Sequence, residues 1–172
     1  MGIRECKDKF PVGSCIMMGP TALHFEMLEL GKRVTRQEAV EYFDKMQELG
    51  LVGQTDNCIT DSSIICLCCC CSQLRGRTRW DNPDAILPSN FIPVAGDDCI
   101  GCGLCTERCM LEALTLDEET DRPVVDADKC IGCGVCTLTC PQETLTLQRY
   151  ERSTPFNTAR EMIKTIALEN RE

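Results

Sequence analysis

Residues 99–109 read CIGCGLCTERC and residues 130–140 read CIGCGVCTLTC, one pattern written twice at an offset of 31. A repeat of this length marks a duplicated half-domain, two copies of a unit too small to close a core alone. Each copy runs into a short segment of alternating apolar residues and threonine, Leu114, Thr115, Leu116 and then Leu145, Thr146, Leu147. That alternation is the period of a strand with one buried face. The turn-rich stretch Asp117 to Pro123 leads to Val124 and Val125, a hairpin return, and Phe91 to Ala95 reads as an opening strand. Residues 90–150 are therefore expected to form one α+β unit in which each half supplies short strands and a short helix.

Within each copy the cysteines are spaced CxxCxxCxxxC. Three thiolates on one tight loop can each bond a separate iron of a cubane, which leaves one iron open. The fourth cysteine lies too far along the chain to close that corner, and in a two-cluster arrangement it ligates the other cluster. The expected sets are Cys99, Cys102, Cys105 and Cys140 for a first cluster, and Cys130, Cys133, Cys136 and Cys109 for a second. Zinc sites want two well-separated CxxC pairs, whereas CxxCxxC crowds a single ion. Gly101, Gly103, Gly132 and Gly134 lack a Cβ, so the loops can wrap closely and aim backbone N–H groups at sulfur.

The rest of the composition agrees with a metal scaffold. Cysteine accounts for 16 of 172 residues and aromatics for only 5%, which leaves little material for a large apolar core. The opening MGIRECKDKF alternates charge with apolar residues, so no signal-peptide core is legible. A cytoplasmic chain with reduced thiols is expected, in which dense cysteines mean metal rather than disulfides. The longest apolar run, Ile64 to Cys71, is far too short to span a bilayer. The formal charge is −9, a balance that repels a phosphate backbone and argues against nucleic acid. Residues 96–150 alone hold 11 acidic against 4 basic side chains: a solvated face, or a docking surface for a basic partner.

With those residues in view, the segment 97–150 resembles the dicluster bacterial-type ferredoxins. The resemblance implies a ferredoxin-like domain with two [4Fe-4S] clusters that passes single electrons at low potential. Pro141 follows Cys140 as the family pattern has it, but Met110 follows Cys109. The first half thereby loses the rigid φ of proline and regains an N–H.

Upstream, residues 1–89 read as a small helical Cys-rich module. Thr21 to Leu30 suits a short helix closed by Gly31. A stronger one follows, with Thr35 and Glu38 as a capping box, Ala39, Val40, Phe43 and Met46 on one face, and Gly50 at the left-handed cap. Five of the eight remaining cysteines fall within Cys66 to Cys71; the other three are Cys6, Cys15 and Cys58. Neighbouring side chains on an extended segment point oppositely, so only two or three of the five can face one metal. The stretch from Cys15 through Gly50, Leu51 and Val52 to Cys66 also resembles the module placed before ferredoxin domains in some multi-cluster proteins of anaerobes. There a Gly-Leu-Val turn leads to a segment like ICNCCxCCC. Here Leu67 stands at the Asn position and Ser72 where a cysteine would fall. A third iron–sulfur cluster on Cys66, Cys69 and Cys71 with Cys15 as a remote ligand is the expectation; a zinc site and structural or redox-active thiols are the alternatives. His24, the only histidine, reads as a packing or surface residue, and Arg75, Arg77 and Arg79 beside Trp80 as a solvated loop or a docking patch.

Residues 151–172 read as a C-terminal amphipathic helix starting at Thr154 and Pro155, with Ala159, Met162, Ile163, Ile166 and Ala167 in one stripe. No haem attachment, phosphate loop or nucleophile–base pair is legible. The whole chain is thus expected to be an iron–sulfur electron-transfer protein without substrate chemistry of its own, held as a subunit of a larger anaerobic oxidoreductase. The rival is an enzyme-like or redox-sensing role, with a site-differentiated cluster or reactive thiols at the CLCCCC segment.

Overall fold

The computed structural model describes residues 9–11, 13–70, 74, 82 and 86–169. Cys6, Cys71 and the loop of Arg75, Arg77, Arg79 and Trp80 lie outside them. The described chain mixes short helices with small sheets, an α+β architecture.

The N-terminal region begins with β1 (Cys15–Met17) and α1 (Gly19–Met27). Helix α1 starts two residues before the expected Thr21, because Pro20 suits a first helical turn, and it ends before Leu30 in a turn with Glu29 at φ +56°. Its residues, His24 among them, contribute nothing to the buried core. Helix α2 (Arg36–Glu48) carries the reciprocal capping box: the Thr35 hydroxyl accepts from the Glu38 N–H, and the Glu38 carboxylate accepts from the Thr35 N–H at 2.7 Å. Gly50 follows at φ +93°, a conformation that only glycine adopts cheaply after a helix end.

The module expected to be helical also holds a sheet. Strands β2 (Val52–Thr55), β3 (Cys58–Thr60) and β4 (Ile64–Cys68) follow α2, and β4 is the centre of an antiparallel sheet in the order β1-β4-β2. Isoleucines and cysteines in a row favour extended backbone once two neighbours supply ladder partners. One face of this sheet, with Ile16, Gly53 and Leu67, lies under α2; Leu67 and Cys69 are buried there with Met46 and Leu51. The opposite face carries Cys15, Cys66, Cys68, Gln54 and Val52, set by the register Cys15↔Cys66, Gln54↔Cys66 and Val52↔Cys68.

In the repeat, β5 (Phe91–Ala95) pairs antiparallel with β8 (Leu145–Arg149), so the first and last strands close the unit. Helix α3 (Leu104–Arg108) follows the first cysteine loop, and β6 (Leu114–Leu116) forms the hairpin with β7 (Pro123–Val125). In the second copy a 3-10 turn, Thr137–Thr139, stands where the first has α3. A joint core of Val52, Leu74, Ile131 and Val135 holds the N-terminal region against the second copy. Burying an aliphatic side chain of this kind contributes roughly 1.5–3 kcal/mol.

The C-terminal helix begins later than its sequence signals place it. Residues Phe156–Thr158 form β9, parallel to β3, and α4 (Ala159–Glu169) starts after them, with the Thr158 hydroxyl accepting from the Glu161 N–H. Thr158 rather than Thr154 is thus the capping residue, because pairing with Cys58 and Thr60 keeps 156–158 extended. The expected stripe stays largely open: Ile163 and Ile166 are exposed.

Candidate metal centres

The eight cysteines of the repeat are free thiols gathered at two cavities. Cys99, Cys102, Cys105 and Cys140 line one, together with Ile100 and Leu116. Cys109, Cys130, Cys133 and Cys136 line the other, together with Val52 and Arg108. Each cavity therefore takes three thiols from one copy and the fourth from its twin. Among the described residues no three of His, Cys, Asp or Glu converge closely enough to hold a single metal ion.

The loop backbones explain the approach. Gly132 has φ +65°, and a Cβ there would stand 2.2 Å from the Phe91 carbonyl oxygen; Gly101 has the same φ, and its Cβ would stand 2.7 Å from that of Asp121. Both positions admit only glycine, on conformation and on space. The Gly132 N–H donates to Cys130 Sγ and the Ala113 N–H to Cys109 Sγ, each at 3.4 Å. Such N–H···S contacts stabilise sulfur that carries negative charge.

Thiol electrostatics separate the rings. Burial, followed by the charges of Cys133, Cys109 and Cys130, pushes Cys136 up to about 12, and burial likewise raises Cys133. Burial raises Cys105 too. Burial also pushes Cys140 upward, but hydrogen bonds from the Leu145, Gln142 and Thr144 N–H groups and the Thr144 hydroxyl outweigh it and hold its thiol below the usual value. Thiols raised by burial, as Cys133, Cys136 and Cys105 are, are deprotonated by a bound cationic metal, so these donors fit a metal group.

The four cysteines expected to serve a third centre are not all brought together. Cys15 Sγ stands 3.8 Å from Cys66 Sγ on the sheet face that turns toward the repeat. Cys69, the residue after the end of β4, belongs instead to the core under α2 with Leu67. Cys71 lies outside the described residues. Gln54, the register neighbour of Cys66, has its buried Nε2 without a partner among the described residues. An unmet donor of that kind costs about 1–3 kcal/mol unless an acceptor is bound nearby. Sequence reasoning missed Gln54, and it also missed Arg108, which lines the second cavity. Each would have called for the register or the docking to be known.

Residues 98–150 match a family model described as a 4Fe-4S dicluster domain. No curated protein and no solved structure matches the chain. The match supports iron–sulfur clusters and an electron-transfer role for this segment. No helix among the described residues is long and apolar enough to cross a membrane.

Proposed function

We propose that the chain is an electron-transfer protein with two [4Fe-4S] clusters in its repeat, a subunit relaying low-potential electrons within a larger anaerobic oxidoreductase in the cytoplasm. The observation that carries the reading is the exchange of thiols between halves, three from one loop and the fourth from the other at each cavity. Cys99, Cys102, Cys105 and Cys140 would hold one cluster, and Cys109, Cys130, Cys133 and Cys136 the other. A bound cluster supplies one-electron redox chemistry at nearly fixed geometry. The protein supplies the thiolates, the N–H donors at Cys109 and Cys130, and insulation by Ile131 and Val135. The open Ile163 and Ile166 stripe supports the subunit assignment, since a helix with an apolar face is stabilised by covering it.

The finer reading adds a third iron–sulfur centre in the N-terminal region. What supports it is the Cys15–Cys66 pair and the unpartnered Gln54 donor beside it; Cys69, in the core under α2, is the weakest of the four ligands first assigned. The rival, reactive or redox-sensing thiols at the same segment, predicts no metal there.

Anaerobic purification with iron and sulfide counting tests both levels. About twelve irons per chain are expected. A reproducible eight removes the third centre and favours reactive thiols, and fewer than eight overturns the proposal. In the same preparation, a partner subunit should remain bound at high salt and be lost on truncation after Ser153.

A further inference from the structure

Arg108 precedes Cys109, and at the offset of 31 its counterpart in the second copy is Thr139. The copies differ through the loop also at Leu104/Val135 and at Glu107/Leu138, where the exposed Glu107 adds an anion; the cation of Arg108 is the addition that borders the second cavity. Arg108 is one of the residues lining the second cavity, next in sequence to the Cys109 thiol. From there Nη2 donates to the carbonyl of Gln47 at 2.8 Å and to that of Glu48, in the last turn of α2. Both carbonyls sit at the negative end of the helix, and that of Gln47 also accepts from the Gly50 N–H at 2.8 Å. Gly50 makes room, because a Cβ there would lie 3.3 Å from Arg108 Cζ.

That arrangement leaves the arginine under-compensated. The end of a helix offers about half a charge. No carboxylate among the described residues pairs with Arg108, and its Nε is buried without a partner. A half-buried cation with one buried, unmet N–H is favoured by an anion nearby, and the cavity it borders is ringed by four thiols.

Resting on the two-cluster reading, we infer that Arg108 is a charge-setting residue for the cluster of Cys109, Cys130, Cys133 and Cys136, held in place by the end of α2. Reduction adds one negative charge to that site, and a fixed cation beside it favours the reduced form. Arg108 therefore holds the second potential above the value that the same site would have with a neutral residue. Because α2 anchors the guanidinium, seating of the N-terminal region and the potential of the second cluster are linked.

The test is a potentiometric titration of the anaerobically purified full chain, followed by electron paramagnetic resonance. Arg108→Gln keeps N–H donors for the α2 carbonyls and removes the charge; Arg108→Lys keeps the charge. One midpoint should move to more negative potential in the Gln variant while the other stays, and the Lys variant should stay close to the parent. Two unmoved midpoints, or two displaced equally, would overturn the inference. Thr139→Arg places the charge beside Cys140 in the other copy and should raise the other midpoint; its failure to move either one counts equally against the inference, and this variant decides the matter should Arg108→Gln not assemble. Iron counting on the parent protein separates the two levels. Fewer than eight irons refutes the two-cluster reading, whereas eight irons with unmoved midpoints refutes only the role of Arg108.

Discussion

The same isoleucine occupies the second position of both cysteine loops, and it is 62% exposed as Ile100 but 5% exposed as Ile131. Nothing in the loops accounts for that. The second loop lies beneath Val52 and Leu74, while the first looks outward with Cys102 exposed. Duplication produced two near-equal rings of thiols, and one-sided docking of the N-terminal region made their surroundings unequal. Since solvent access, nearby charge and hydrogen bonds all act on an iron–sulfur potential, two clusters held as proposed would differ despite matching ligand sets.

The sharpest way to break the comparison is to cut the same side chain from both loops. Ile131→Ala should cost about 2–4 kcal/mol through the cavity it leaves, whereas Ile100→Ala should stay within about 0.5 kcal/mol. Denaturant unfolding of the anaerobic protein reads both, and similar losses would mean that the second loop is not covered as described. A smaller difference is expected one turn on. Met110 packs against both the core under α2 and the joint core with the repeat, so Met110→Ala should cost about 2 kcal/mol. Its counterpart Pro141 is exposed, and Pro141→Ala should change stability by no more than about 1 kcal/mol, chiefly through the unfolded chain.

The smallest effect concerns the support of α2. Hydrogen bonds from the Thr35 N–H and hydroxyl hold the Glu38 carboxyl below its usual value. A carboxylate whose folded value is depressed binds fewer protons than the unfolded chain, so its contribution is present above the ordinary glutamate range and fades as pH falls through the folded value. Glu38→Gln should flatten that acid limb slightly in a stability–pH profile, while leaving neutral pH little changed. A profile identical to the parent would show that the capping box carries no net proton linkage.

Much of the fold was legible locally. The alternating Leu-Thr-Leu segments became β6 and β8, Phe91 to Ala95 became β5, and Thr35, Glu38 and Gly50 bounded α2 as their chemistry requires. Those signals depend on neighbours within four residues or on a period of two. The C-terminal helix was misplaced by its start because a strand partner, β3, competed for residues 156–158. The N-terminal sheet escaped notice for the same reason: three short segments far apart in sequence had to meet before any was stable as a strand.

Sequence by itself determined the duplicated cysteine loops, the glycines that let them close, the capping box and the acidity of the repeat, since spacing, conformation and charge are properties of the chain. Only the tertiary structure decided that Cys66 pairs with Cys15 while Cys69 joins the core under α2, that one loop is covered and its twin open, and that Arg108 reaches the end of α2. Those outcomes turn on which apolar faces meet. Burial rewards contact area without regard to separation along the chain, so no local pattern announces them.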